Sequence, residues 1–65
     1  MKAQELRQKT LKELHSLLEE MREELRKLRF DLVMGKLKNV HKIKETKKDI
    51  ARILTVINEK QKNKT

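Results

Sequence analysis

Four nitrogen-bearing side chains, His41, Lys44, Lys48 and Arg52, recur at spacings of three and four residues in the second half of the sequence. On a helix, turning about 100° per residue, they fall on one strip beside an apolar stripe. Lys47 borders that strip from the seam. A line of cationic donors of this kind can follow a phosphate backbone. In an average protein such a row is only a solvated face. Here acids are scarce nearby: residues 35–65 hold ten basic residues against Glu45, Asp49 and Glu59, a net +7. Residues 10–34 sum to −1 and residues 1–9 to +2. The chain as a whole carries +8, with a pI near 10.1. That imbalance suits a polyanionic partner, RNA or an anionic membrane surface, and the strip is read as the RNA-binding site.

Other chemistry is poorly supplied. Glu19, Glu20, Glu23 and Glu24 resemble a carboxylate cluster. Carboxylate metal sites in helix bundles also use a histidine three residues after a glutamate, and none of these has one. The run is interleaved with Arg22, Arg26 and Lys27, and Glu23 with Lys27 is a favourable i, i+4 pair, so it reads as an ion-paired solvated face. His15 and His41 lie at opposite ends of the expected fold. No cysteine is present, which removes disulfides and thiolate metal sites. Neither a nucleophile–base pair nor a glycine-rich phosphate loop is visible. No catalysis, cofactor or metal is expected.

A second kind of site is suggested by apolar residues where none is needed. Phe30, the sole aromatic residue, and Met34 lie one turn apart on the face opposite the leucine stripe, and Val33 and Leu37 flank them. Scattered surface apolar residues are ordinary. Four near one tip mark a docking patch, for another protein or for an RNA base stacked on Phe30.

These side chains need a scaffold, and the pattern supplies a hairpin. The chain has 65 residues, no proline and a single glycine, Gly35. Before it, Leu11, Leu14, Leu18, Met21, Leu25, Leu28 and Leu32 form an unbroken three-four stripe. Thr10 and Glu13 read as a capping box, and Gly35 suits the left-handed residue that ends a helix. Asn39 reads as the next N-cap. The second stripe is Val40, Ile43, Lys47, Ile50, Leu54 and Ile57, with Lys47 its one polar break. Its methylenes are expected to lie over Leu28 while the ammonium reaches Asp31 or Glu24.

The expected fold is all-α: one small domain, residues 1–65, forming an antiparallel, coiled-coil-like two-helix hairpin with a short N-terminal helical turn. The boundaries are 2–8 for the turn, 10–34 for the first long helix, 35–39 for the bend, 40–60 for the second helix and 61–65 for a frayed tail. Leu32 should meet Ile43, Leu28 Lys47, Leu25 Ile50, Met21 Leu54 and Leu18 Ile57. Ala3 and Leu6 should fold over the open end. No segment has the roughly 20 apolar residues of a membrane span, and residues 1–6 lack the apolar run of a signal peptide. A cytoplasmic location is expected.

Several stretches resemble a known family. The start Met1-Lys2-Ala3-Gln4-Glu5-Leu6-Arg7, the segment Leu28-Arg29-Phe30-Asp31-Leu32, the bend Gly35-Lys36-Leu37-Lys38-Asn39 and, most specifically, Ile43 to Ile53 are similar to bacterial large-subunit ribosomal protein number 29 of the L series. The resemblance covers nearly the whole chain. Many relatives carry proline where this sequence has Val40, so the second helix start is less rigidly set here. The resemblance implies a structural constituent of the large ribosomal subunit, bound to large-subunit (23S-type) rRNA near the nascent-chain exit tunnel. It also implies a neighbour, protein number 23 of the L series, and a docking surface for targeting or chaperone factors. The free chain is expected to be monomeric and not to bind membranes.

Two rival readings remain open from the residues alone. A homodimeric helical-hairpin RNA-binding regulator would bury its spare apolar faces on a second copy. A membrane-surface helix would need more bulky residues on its apolar face than Phe30 supplies.

Overall fold

The computed structural model of the chain describes residues 2–62. Three helices follow one another: α1 (Ala3–Arg7), α2 (Leu11–Val33) and α3 (His41–Lys62). The two long helices have 23 and 22 residues and pack along each other, and α1 packs against α3. The result is a rod of 47 × 17 × 15 Å. Gln61 and Lys62 continue α3; the rest of the expected frayed tail lies outside the described residues.

Local chemistry sets the helix ends. Thr10 Oγ1 accepts from the Glu13 N–H at 3.2 Å, and Glu13 Oε1 accepts from the Thr10 N–H at 2.9 Å, a complete capping box. The backbone hydrogen bond from Thr10, helped by its hydroxyl and by Lys9, holds the Glu13 carboxyl below the usual glutamate range. At the other end of α2, Gly35 has φ 76°, the Lys36 N–H donates to Asp31 O at 2.8 Å and the Gly35 N–H to Leu32 O at 3.1 Å. That is the paired hydrogen-bond pattern of a Schellman stop, which satisfies carbonyls the helix leaves orphaned. At the start of α3, Asn39 Oδ1 accepts from the His41 N–H at 3.2 Å.

The core is concentrated at the open end of the hairpin. Leu6, Leu14, Leu18, Ile53, Val56 and Ile57 form one buried cluster, with Leu11, Leu17, Met21 and Ile50 packed around it. Leu6 comes from α1 and closes the cluster as expected. Toward the bend the seam thins: Leu25 and Leu28 are half-buried and Leu32 is exposed. A core this small covers little more than one end of the rod, in keeping with the surface-to-volume limit on short chains.

The α3 stripe differs from the expected register. The buried positions are Ile43, Thr46, Ile53, Val56 and Ile57, with Ile50 half-buried, while Val40, Lys47 and Leu54 are exposed. Ile53 is fully buried, whereas its neighbour Leu54 is 43% exposed. Thr46 stands in the seam at 2% exposure and Lys47 does not, so no buried ammonium has to be accommodated over Leu28. Threonine fits because its hydroxyl donates to Lys42 O at 2.9 Å within its own helix, which removes the cost of an unpaired buried polar group. The face has turned about one residue toward α1, which brings Val56 and Ile53 under Leu6.

Candidate nucleic-acid interface

α3 carries all five of the residues assigned to RNA binding, His41, Lys44, Lys47, Lys48 and Arg52, and all five are exposed. With the buried face centred near Thr46, Ile50 and Ile53, the helical repeat puts His41, Lys48 and Arg52 on the back of α3, away from the seam. The strip is therefore not beside the apolar stripe but opposite it.

Its charge is partly compensated. His41 Nε2 lies 4.0 Å from Glu45 Oε1, and Glu45 and Asp49 line the same shallow depression as His41, Lys48 and Arg52. Asp49 and Arg52 are each already engaged by another group. Beyond Arg52 the strip meets α1, whose Arg7 Nε donates to Glu59 Oε2 at 3.4 Å. Ala3 and Arg7 share a groove with Ala51, Arg52, Thr55, Val56 and Glu59. All three acids of the second half thus lie on the strip's side of α3. Lys44, Lys47 and Lys48 have no ion-pair partner among the described residues.

The four residues of the apolar patch are not equivalent. Phe30 is 60% exposed, Val33 84% and Met34 56%, while Leu37, in the bend, is half-buried. Phe30 and Met34 point away from the seam, and Val33 projects to one side of it.

On α2, Glu23 Oε1 pairs with Arg26 at 2.8 Å, one turn away, and Glu19 with Arg22 at 3.9 Å, so the cation answering Glu23 is Arg26 rather than Lys27. Two of the arginines among the leucines are thereby matched by acids. Arg29 is exposed and has no ion-pair partner among the described residues, a feature the sequence reading passed over. The signal was present in the sequence, because no acid lies three or four residues from Arg29.

No group of histidines or carboxylates among the described residues is arranged to hold a metal ion. No helix of the described residues is long and apolar enough to cross a membrane. Fold and surface together define a class: a slender, basic helical hairpin with a minimal core that displays charge and a few apolar side chains on its surface.

The relatives give that class its place. The family model for Ribosomal L29 protein matches residues 4–60. A protein named large ribosomal subunit protein uL29 from Thermotoga petrophila is 56% identical over 61 residues, covering 94% of this chain and 92% of the relative. One of the same name from Natranaerobius thermophilus is 43% identical over 63 residues, 97% of each chain. Another from Sulfolobus acidocaldarius is 57% identical over 58 residues, 89% of this chain and 84% of the relative. The chain belongs to the ribosomal L29 protein family. It is a structural, non-enzymatic constituent of the large ribosomal subunit and works in the cytoplasm with it.

Proposed function

We propose that the chain binds large-subunit rRNA through the exposed cations of α3 and helps form the protein surface around the nascent-chain exit tunnel. The observation that carries the RNA reading is the basic excess of α3, seven lysines and arginines against three acids, with Lys44, Lys47 and Lys48 exposed and free of acidic partners among the described residues. Within the assigned set, Lys44, Lys47 and Lys48 supply the main phosphate contacts, and His41 and Arg52 contribute less because His41 faces Glu45 and Arg52 is already engaged by another group. Placement near the tunnel exit, beside protein number 23 of the L series and within reach of targeting and chaperone factors, rests on the family resemblance. Phe30, Val33, Met34 and Leu37 supply the protein-docking patch.

The test is association under salt. Phosphate neutralisation by about three or four side chains gives a log–log slope of roughly −2 to −4 between RNA affinity and salt concentration. The full chain is titrated against large-subunit rRNA at several salt concentrations, and the native protein is followed through a high-salt wash of large subunits. Salt-dependent binding and retention on washed subunits are expected. A flat salt profile, with the protein washed free, would refute rRNA binding.

A further inference from the structure

The two long helices run antiparallel, so residues to one side of the seam on α2 lie on the same side of the rod as their counterparts on α3. Helical geometry at about 100° per residue then sorts the charges. One side carries Arg22, Arg29 and Val33 from α2 with Val40, Lys47 and Leu54 from α3, and Glu19, paired with Arg22, and Lys44 stand at its outer edge. The other carries Glu20, Glu24 and Asp31 from α2 with Glu45 and Asp49 from α3, interleaved with Lys27 and Arg52, and α1 covers that side's open end. Glu24 and Asp31 indeed line one depression, and Glu45 and Asp49 another. The first side holds Val33 at 84% exposure, Val40 at 42% and Leu54 at 43%, set singly among the cations. Arg29, Lys44 and Lys47 there have no ion-pair partner among the described residues.

We propose that this side of the hairpin, spanning both helices, is the face laid on RNA, with Arg29, Lys44 and Lys47 on phosphates and Val40 and Leu54 against the apolar edges of the riboses between them. The proposal rests on the rRNA-binding reading and deepens it, because it moves the contact from the back of α3 to a face that includes α2. Charge complementarity selects the occupant: three uncompensated cations, with the one carboxylate, Glu19, already answered by Arg22, call for a polyanion. A second copy related by two-fold symmetry would set lysine against lysine. Isolated apolar groups alternating with cations match the alternation of sugar and phosphate better than the contiguous apolar centre of a protein interface. The side that carries the acids, where phosphates would meet carboxylates, faces away.

The experiment measures affinity of the full chain for large-subunit rRNA across salt concentrations. Arg29→Gln, Lys44→Gln and Lys47→Gln should each reduce the slope by about one unit. Leu54→Ser should weaken binding severalfold at every salt concentration and leave the slope unchanged. Glu24→Gln, on the opposite side, should change neither. These residues are exposed, so the far-UV helical signal should stay constant and report an intact fold. The proposal is overturned if Arg29→Gln and Lys47→Gln leave the slope intact, or if Glu24→Gln strengthens binding as much as Lys47→Gln weakens it, since bulk charge would then govern. Unchanged RNA binding but lost incorporation into subunits would assign the face to an acidic protein and overturn it as well. A doubled sedimentation mass that Lys47→Gln abolishes would assign it to a second copy, with the same consequence. If the unaltered chain shows no salt-dependent binding, the rRNA reading itself fails, a result distinct from any of these.

Discussion

Single positions in α3 show how finely burial is set. Ile53 and Leu54 are neighbours of similar size, yet one is fully enclosed and the other 43% exposed. Removing a buried aliphatic side chain costs its transfer energy plus the cavity it leaves, about 2–5 kcal/mol. Ile53→Ala should fall in that range, which in a domain this small is enough to unfold the free chain. Leu54→Ala should cost less than about 1 kcal/mol, as surface changes do. Thermal melts of the two variants followed by far-UV circular dichroism decide the matter, and equal losses would reject the register. Leu25, half-buried, belongs between them. Thr46 completes the seam at the same scale: a residue poor in hydrophobicity is tolerated because its hydroxyl is satisfied one turn back.

The elements owe their limits to capping more than to packing. α2 starts at a reciprocal pair, Thr10 with Glu13, and stops at Gly35, where the positive φ excludes most other residues. Because the folded carboxyl of Glu13 is lowered by the Thr10 hydrogen bonds, its contribution is fully present above the ordinary glutamate value. It is lost as the pH falls through the lowered folded value, since the protonated acid no longer gains from the cap. Melting temperatures of the parent chain and Glu13→Gln should therefore differ near neutral pH and converge in acid. A constant difference across that window would show that the carboxylate charge is irrelevant to the cap.

At the scale of the whole molecule, the protein has a well-packed end and a thinly packed end. The buried cluster gathers near α1, while the bend carries Phe30, Val33 and Met34 over a thin seam. Phe30→Ala combined with Met34→Ala should leave helicity and melting of the free chain unchanged, since both side chains point away from the partner helix. The double variant should be under-represented in purified large subunits when it competes with the parent chain, as measured by mass spectrometry. Loss of helicity instead would place the patch in the core; equal incorporation would deny it a docking role.

The sequence by itself determined the hairpin. An uninterrupted three-four leucine stripe, a capping box and a lone glycine are local signals, readable because each acts within a turn or two of backbone. The α2 stripe came out with Leu14 and Leu18 buried, and residues 34–40 connect the two long helices. The family, too, was legible, because its short motifs lie in order along nearly the whole chain. The rotation of α3 was not. Counting apolar spacings favours Lys47 and Leu54 almost as well as Thr46 and Ile53, and only the packing of α1 and α2 together on α3 chooses between them. The charge pattern followed the same division. Composition along the chain revealed the basic half, but which cations stand free, and that Arg29 shares a side with Lys44 and Lys47, depends on how two antiparallel helices face each other. That arrangement is fixed by contacts between residues far apart in sequence, which local periodicity does not encode.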